Sequence, residues 1–238
     1  MKRPISQWSR SGFKYWLKLT IDLIFPPNCA GCGVAGTVWC EECNDRIIAP
    51  KGRSCPACGF PLERGVSCSI CEDWPNRVHV RSFACYRKPL SSAILRLKYR
   101  PDQALANEMA SWLISAYQRT GWIADCVVPV PLADVRLRQR GYNQVTLITT
   151  SFAKELKLPS FPNALKRVRE TQSQVGLDRQ ERHQNVEGVF RADSRILQDH
   201  SVILIDDLLT SGATLKNCAI ALLNAGVVQV FCLTVGRA

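Results

Sequence analysis

The sequence predicts an α/β protein with a mostly parallel sheet, flanked by helices and preceded by a small cysteine-rich module. Apolar strand-like runs alternate with helix-like segments from about residue 80 onward. Strands that are apolar on both faces are typical of a parallel sheet covered on both sides. Before residue 80, eight cysteines stand in four closely spaced pairs, a pattern typical of a metal-bound module.

The length and charge fit this organisation. A chain of 238 residues can hold one domain of roughly 150 residues together with smaller parts. We expect an N-terminal amphipathic helix (1–24), a cysteine-rich zinc-binding module (25–76) and an α/β domain (77–238). The 31 Lys and Arg against 20 Asp and Glu leave a formal charge of +11. This excess predicts an anionic partner such as a nucleic acid or a polyphosphate.

The N-terminal segment is basic at its start and only intermittently apolar. Lys14, Lys18 and Asp22 interrupt its apolar runs, which are too short for an export signal or a membrane span. We therefore expect a cytoplasmic protein, in which cysteines stay reduced. Docking of this helix on its own protein is favoured over peripheral contact with a membrane.

Four C-x-x-C pairs, "CAGC", "CEEC", "CPAC" and "CSIC", predict structural zinc. Two thiolates at i and i+3 can reach one tetrahedral ion, and Gly33 and Gly59 follow the first and third pairs, where a glycine eases the turn. Redox-active dithiols and disulfides are disfavoured, since a redox enzyme needs one such pair. Loop-closure entropy weakly favours sequential pairing, and the pairing stays open. The expected ligands are Cys29, Cys32, Cys40, Cys43, Cys55, Cys58, Cys68 and Cys71.

The α/β part contains the following predicted elements in chain order. "VRSFACY" alternates as a strand, and Pro101 and Asp102 open a helix through "QALANEMASWLISAYQR". "CVVPVPL" is an aliphatic strand, followed by a helix over 143–158. "SVILID" is a strand, 215–225 a helix closed by Gly226, and "VQVFCLTV" the final strand. The four isolated cysteines in these elements are expected to be small buried hydrophobes: Cys85, Cys126, Cys218 and Cys232.

The stretch "VILIDDLLTSGATL" carries the clearest chemistry. Ligands of parallel sheets bind beyond the carboxyl ends of the strands, where we expect Asp206 and Asp207. The small hydroxylated loop that follows offers backbone N–H groups and hydroxyls at a helix N-terminus, which suits a phosphate. Two carboxylates beside a phosphate site make sense if the ligand also brings hydroxyls or a divalent cation. A ribose 5-phosphate meets this description.

These residues resemble the 5-phosphoribosyl-1-pyrophosphate (PRPP) motif of the type I phosphoribosyltransferases. With "VVPVPL", "RLRQRGYNQ" and "RVRETQSQVGLDRQERHQNVEGVF" behind a cysteine module, the chain resembles the ComF proteins of bacterial DNA uptake, a group that includes GntX-like proteins. The resemblance extends from "FPPNCAGCG" to "AGVVQVFCLTVGRA". It implies a type I phosphoribosyltransferase-like fold and a role in natural transformation, without specifying a reaction.

The resemblance also implies roles for particular residues. Asp206 and Asp207 would hold the ribose hydroxyls of PRPP, with Mg²⁺ bridging ribose and pyrophosphate. The 5-phosphate would lie in the loop Thr210, Ser211, Gly212, Ala213 and Thr214. The turn after Pro131 corresponds to the pyrophosphate loop, and 167–185 to a mobile hood. Candidate residues of these two parts are Leu132, Ala133, Asp134, Arg138, Arg140, Arg167, Arg169 and Arg182.

Basic residues exceed what one PRPP requires. Between residues 136 and 182, ten basic residues stand against four acids. Such an excess suits single-stranded DNA, with aromatics such as Tyr142 stacking on bases, although a solvated basic face is the simpler alternative. "QRGYNQ" also reads as an ordinary helix entry, in which Gly141 provides the turn and Asn143 the cap.

Three functions follow from these observations. The first is a ComF-type protein of DNA uptake that binds PRPP and single-stranded DNA. The second is a phosphoribosyltransferase acting on a small base or amine, with no DNA role. The third is a non-catalytic PRPP-sensing adaptor that binds single-stranded DNA or an uptake helicase. No catalytic residue is assigned, because phosphoribosyl transfer depends mostly on electrostatic stabilisation and needs little from a side-chain base.

Overall fold

A four-stranded parallel sheet forms the centre of the computed structural model, which describes residues 26–50, 55, 68, 74–169 and 188–238. The predicted N-terminal helix lies outside the described residues. In chain order the elements are α1 (Glu41–Asp45), β1 (Val78–Cys85), α2 (Leu90–Tyr99), α3 (Gln103–Gln118), β2 (Cys126–Pro129), α4 (Asp134–Arg140), α5 (Gln144–Leu156), β3 (Leu165–Arg167), β4 (Phe190–Ala192), α6 (Ser194–Leu197), β5 (Ser201–Leu209), α7 (Ala213–Asn224) and β6 (Gln229–Arg237).

The strand order in the central sheet is β1-β6-β5-β2, and every neighbouring pair is parallel. The strands are apolar on both faces, as predicted, so that each face of the sheet builds a separate core. Ile203 and Ile205 of β5 lie in one core, and Val202 and Leu204 lie in the other. The predicted fold class, a mostly parallel sheet flanked by helices behind a cysteine-rich module, is confirmed.

Helices α2, α3 and α5 cover the first face. The α3 helix begins where the sequence predicts, because the Asp102 side chain accepts a hydrogen bond from the backbone N–H of Leu105. The α5 helix begins after Asn143, whose side chain accepts from the N–H of Val145. The α2 helix was not predicted. It buries Leu90, Ile94 and Leu97 and completes this core.

Helix α7 covers the second face. It buries Leu215, Ala219 and Leu222 toward the sheet, whereas Leu223 is only partly buried. Cys55 is buried in the same core, against which Cys68 and Trp74 also pack. These three residues of the cysteine-rich region therefore lie on the α7 side of the sheet.

The first two cysteine pairs pack on the opposite side, beside α3. The indole of Trp39 contacts that of Trp112 edge to face, with ring centroids 4.9 Å apart. The backbone N–H of Cys85 in β1 donates to the carbonyl of Ile48, at 2.8 Å. Arg96 donates to the carbonyl of Asn28 and forms an ion pair with Asp102. This part of the cysteine region is thus fixed to the α/β domain.

The neighbouring strands β2 and β5 carry their helices on opposite faces, α5 on the first and α7 on the second. Adjacent parallel strands with this arrangement form a topological switch point, and a crevice opens between their carboxyl ends. The short β3 and β4 pair antiparallel, from Leu165↔Ala192 to Arg167↔Phe190. They flank the segment predicted as the hood (167–185), most of which lies outside the described residues.

Candidate functional site

The acidic pair lies within β5 and not at its end, which corrects the predicted boundary after Asp206. The strand continues to Leu209 because β6 continues to pair with it, through Asp206↔Thr234, Leu208↔Gly236 and Leu209↔Arg237. The strand β2 ends earlier, at the pairing Pro129↔Ile205. The acidic pair therefore extends past the end of β2, at the crevice that the switch point creates.

Asp207 is buried and has two polar partners that the sequence analysis did not identify. The Gln144 side-chain amide donates to its Oδ2 atom at 2.7 Å. The ammonium of Lys98 lies 3.4 Å from the same oxygen. Gln144 is itself buried, and its carbonyl oxygen accepts a hydrogen bond from the Arg140 guanidinium at 3.1 Å. A continuous polar network therefore joins α2, α4, α5 and β5.

Asp206 has different surroundings. Its Oδ1 atom accepts from the backbone N–H of Asp207 at 2.8 Å. Although part of the residue stays exposed, burial of its carboxyl group among protein atoms and, next, the Asp207 charge raise the pKa of Asp206 well above its ordinary range. The Asp206 carboxylate in turn contributes to the raised pKa values of Cys218 on α7 and Cys232 on β6, for which burial is the larger cause. This carboxyl group therefore faces the second core.

The loop after β5 has the geometry of a phosphate cradle. Thr210, Ser211 and Thr214 are exposed, and α7 begins at Ala213. Gly212 has a positive φ of 79° and caps the helix without a side chain, so backbone N–H groups lie open at the helix N-terminus. The Ser211 hydroxyl accepts from the N–H of Ala213 at 3.4 Å. These residues can surround an anionic group.

The residues predicted for the pyrophosphate loop occupy the turn between β2 and α4. Leu132 and Ala133 are partly buried, and Asp134 is exposed in the first turn of α4. The sequence analysis did not predict α4 itself. This helix has no buried residue, and it presents Arg138 to solvent.

Arg140 joins two groups at the end of α4. Besides its bond to Gln144, its guanidinium lies over the exposed ring of Tyr99, 5.5 Å from the centroid. Tyr142, the aromatic predicted to stack on bases, donates its hydroxyl to the carbonyl of Leu97. Asn143 donates to the carbonyl of Val130 at 3.0 Å and caps α5, as the alternative interpretation of "QRGYNQ" expected.

Only part of the predicted hood is described. Arg167 lies on β3, where its guanidinium sits 5.7 Å from the ring centroid of Phe190 and donates to the carbonyl of Arg169. Arg182 lies outside the described residues. The structure therefore places Arg167 and Arg169, two of the three candidate hood residues, beside the β3–β4 pair.

Four thiols form a compact cluster in the first half of the cysteine region. The Sγ atoms of Cys29, Cys32, Cys40 and Cys43 all lie within 4.8 Å of one another, and those of Cys32 and Cys40 are 3.6 Å apart. Thiolates around a tetrahedral zinc ion at 2.3 Å are about 3.8 Å apart. The cluster therefore fits one zinc ion and supports the sequential pairing that loop closure favoured.

The backbone around this cluster also suits thiolates. Burial alone would raise the pKa of the Cys29 thiol, but hydrogen bonds that include the N–H groups of Cys40 and Gly31 lower it to about 6. A Cβ at Gly31 would lie 2.6 Å from the Sγ atom of Cys43, so a glycine is needed there. The third and fourth pairs are described only at Cys55 and Cys68, and Cys58 and Cys71 lie outside the described residues.

The isolated cysteines behave largely as predicted. Cys126, Cys218 and Cys232 are fully buried in the second core, whereas Cys85 is partly exposed. Burial raises the pKa of Cys126 to about 12. These thiols are therefore uncharged and act as small apolar side chains.

Lys98 and Gln144 are the site residues that sequence reasoning missed. A signal for Lys98 exists, since it follows Leu90 and Ile94 at helical spacing and so lies beside the buried face of α2. Gln144 gives no comparable signal, because its partner Asp207 is 63 positions away in the chain.

Comparison with known proteins finds one matching domain family and several proteins of similar sequence. Residues 20–72 match the double zinc ribbon domain family. Competence protein ComFC of Bacillus subtilis is 31% identical over 195 residues, 79% of this chain and 78% of that protein. Competence protein F of Haemophilus influenzae is 30% identical over 203 residues, 80% and 86% of the two chains. DNA utilization protein YhgH of Escherichia coli K12 is 32% identical over 206 residues, 82% and 88% of the two chains.

Solved structures resemble the chain less closely. The glutamine PRPP amidotransferase of B. subtilis matches 59% of this chain and 30% of its own, with a TM-score of 0.41 and 16% identity. The UMP synthase of Leishmania donovani matches 59% and 24% of the two chains, with a TM-score of 0.36 and 16% identity. Among the helices of the described residues, none has the length and apolar character needed to cross a membrane.

Proposed function

Because this chain belongs to the ComF family of competence and DNA-utilization proteins, we propose that it binds PRPP with Mg²⁺ at the acidic pair and single-stranded DNA through its basic surface, in the cytoplasm, during the uptake or use of DNA. The observation that carries the proposal is the placement of the acidic pair and the Thr210–Thr214 loop. The pair lies in the part of β5 that extends past the end of β2, and the loop follows β5 directly, so both adjoin the crevice between β5 and β2. An acidic pair next to an anion cradle suits a ligand that combines hydroxyls with phosphates.

The loop would hold the 5-phosphate and the acidic pair the ribose. Exposed hydroxyls of Thr210, Ser211 and Thr214 and the free N–H groups of the α7 N-terminus are suitable donors to phosphate oxygens. Leu132, Ala133 and Asp134 adjoin the end of β2, where the pyrophosphate would lie. Arg138 and Arg140 of α4 would neutralise part of its charge.

Carboxylate oxygens are the ligand type that Mg²⁺ prefers, and Asp206 is the partly exposed member of the pair. When bound with PRPP, Mg²⁺ supplies positive charge that stabilises the departing pyrophosphate in a transfer reaction. The chain's own residues would position the sugar and exclude water from it.

The basic surface supports the DNA part of the proposal. Arg136 and Arg138 of α4 are exposed, and Tyr99 is exposed beneath Arg140. Arginines that follow a nucleic-acid backbone and an aromatic ring on which bases stack are typical of single-strand binding. An uptake helicase is a further partner that this role would allow.

The cysteine region is proposed to hold two zinc ions with a structural role. The cluster of Cys29, Cys32, Cys40 and Cys43 would hold the first ion. Cys55, Cys58, Cys68 and Cys71 would hold the second. Zinc bound there would stabilise a region that has few aliphatic residues of its own.

The deciding experiment is a calorimetric titration of PRPP with Mg²⁺ into the wild-type protein and into an Asp206→Asn, Asp207→Asn double variant. We expect binding by the wild-type protein and none by the double variant. A Glu155→Gln variant, altered at an exposed carboxylate of α5, should bind normally. Absence of binding to the wild-type protein would contradict the proposal and leave the basic surface as the main functional feature.

Consumption of PRPP separates binding from catalysis. If bound PRPP is consumed when bases and amines are offered, the protein is a phosphoribosyltransferase. If such an enzyme also failed to bind single-stranded DNA, it would act on a small acceptor and have no DNA role. If PRPP stays intact, the protein is a PRPP-dependent adaptor. Enzyme and adaptor differ in this one measurement.

A further inference from the structure

The buried carboxylate of Asp207 has a partly buried cationic partner. The side chain of Asp207 is 8% exposed and that of Lys98 is 20% exposed, with 3.4 Å between the ammonium and Oδ2. Gln144 donates to the same oxygen at 2.7 Å. Because ion pairs at this depth contribute little net stability, a role in holding the carboxylate in one place accounts better for the arrangement.

The two aspartates face opposite sides of the sheet. Successive side chains of a strand alternate between the two faces. Asp207 follows Ile203 and Ile205 and meets α2 and α5, whereas Asp206 follows Val202 and Leu204 and faces α7. The loop that is proposed to hold the phosphate also leads into α7. The Asp206 carboxyl group therefore shares its side of the sheet with the phosphate loop.

We propose that Lys98 and Gln144 are positioning residues that hold Asp207 as the anchored member of the acidic pair, and that Asp206 is the member that contacts the ribose hydroxyls or their Mg²⁺. This inference rests on the proposed function, which treats the two aspartates alike. Within the described residues, Asp206 accepts only from the adjacent backbone N–H. Its second oxygen is thus available to a ligand.

The anchor connects the acidic pair to the helix beside the pyrophosphate loop. Arg140 of α4 donates to Gln144, which donates to Asp207. Lys98 enters from the other side, on α2. Loss of Lys98 would leave a buried carboxylate without its counter-charge. Asp207 would then move, and its neighbour would be displaced with it. Lys98 would affect the ligand through Asp207 without touching it.

A double-mutant cycle tests this mechanism. Calorimetric titration of PRPP with Mg²⁺ is performed on Lys98→Met, Asp207→Asn and the double variant, and on Asp206→Asn. We expect Lys98→Met to weaken binding about tenfold in the wild-type background and to have no further effect in the Asp207→Asn background. Asp206→Asn should weaken binding about a hundredfold or more. Lys98→Arg should recover part of the loss, and Lys154→Met, at an exposed lysine of α5, should change nothing.

Urea unfolding of the same variants gives a second, ligand-free readout. If Lys98 holds Asp207, the shifts of the unfolding midpoint caused by Lys98→Met and Asp207→Asn should not add in the double variant. Equal weakening of PRPP binding by Lys98→Met in both backgrounds would overturn the inference, since Lys98 would then touch the ligand. If the wild-type protein bound no PRPP, the proposed function would fail and so would the ligand role of Asp206. If the unfolding-midpoint shifts of Lys98→Met and Asp207→Asn added up in the double variant, the anchoring of Asp207 by Lys98 would be refuted, whether or not PRPP binds.

Discussion

The indole of Trp74 packs against Gly212, so that a Cβ atom at position 212 would lie 2.9 Å from Cζ2 of the ring. Trp74 lies at the end of the cysteine-rich region, and Gly212 lies in the loop proposed to bind phosphate. The two parts of the chain are therefore in direct contact at the candidate site. The contact requires a residue without a side chain, and the positive φ of 79° requires the same.

Comparison of two glycine substitutions distinguishes the contact with Trp74 from the need for a positive φ. We expect Gly212→Ala to lower the free energy of unfolding by about 2–4 kcal/mol, from backbone strain together with the clash against Trp74. Gly121→Ala is the matched control, because Gly121 has a φ of 70° with nothing within 4 Å of its added Cβ. It should cost only about 1–2 kcal/mol. If urea unfolding showed that both variants lose the same free energy of unfolding, the contact with Trp74 would not contribute to the cost.

The first thiol cluster should bind zinc independently of the isolated cysteines. Elemental analysis of protein purified without chelator should find about two zinc ions per chain if this cluster and the proposed second site are both filled. Cys43→Ser should remove about one ion and destabilise the region, since the thiol is fully buried within the cluster. Cys85→Ser, at a partly exposed isolated cysteine, should leave the zinc content unchanged. Fewer than one zinc ion per wild-type chain would refute the zinc assignment.

Asp206 should make stability fall as the pH rises. Burial and the neighbouring Asp207 raise the pKa of Asp206 in the folded protein above its value in the unfolded chain. The folded state therefore binds more protons between these two pKa values. The contribution of Asp206 to stability is fully present below the unfolded pKa and is lost as the pH rises through the folded one.

The matching experiment compares wild-type protein with Asp206→Asn in thermal unfolding from pH 4 to pH 8. The variant should be the more stable protein at pH 8, and its advantage should shrink toward pH 4. Glu155→Gln, which removes an exposed carboxylate, should run parallel to the wild-type curve. A wild-type protein that gained stability relative to Asp206→Asn with rising pH would contradict the raised pKa.

The basic surface near α4 should account for binding of single strands. Tyr99→Ala should weaken binding of an unpaired oligonucleotide by about 1–3 kcal/mol if a base stacks on the ring. Arg138→Gln should weaken binding and reduce the dependence of log Kd on log salt concentration by about one, if Arg138 contacts a phosphate.

Arg119→Gln is the control for this surface, since Arg119 is exposed at the end of α3, away from α4. Gel shifts at several salt concentrations give both the affinity and its salt dependence. Unchanged binding in the Tyr99 and Arg138 variants would show that the strand binds elsewhere or that this face is merely solvated.

Much of the fold follows from local sequence signals. Asp102 and Asn143 cap their helices as predicted, because a cap depends on neighbours within a few residues. The length of β5 was underestimated, because its extension to Leu209 depends on pairing with β6. Helix α2 was missed although Leu90, Ile94 and Leu97 have the spacing of one helix face. The partners of its Arg96 and Lys98, Asn28 and Asp207, are distant in the chain and could not be predicted.

The candidate site likewise contains residues that could be located from the sequence and residues that could not. The acidic pair and the glycine loop form one contiguous stretch and could be located from sequence. Lys98 and Gln144 approach Asp207 from two separate helices, so that their proximity depends on how the helices pack on the sheet. The pairing of the first two cysteine pairs was only weakly favoured by loop closure, and the structure brings them together.

The strand order has a consequence for the way the protein is made. β6 lies between β1 and β5, and Ser82 of β1 bonds to Thr234 of β6 across 152 positions of the chain. Until β6 leaves the ribosome, the edges of β1 and β5 that will face β6 have no strand to pair with. The cysteine pairs emerge much earlier. Nascent chains halted just before Gln229 should therefore be able to take up zinc yet remain sensitive to protease across the sheet.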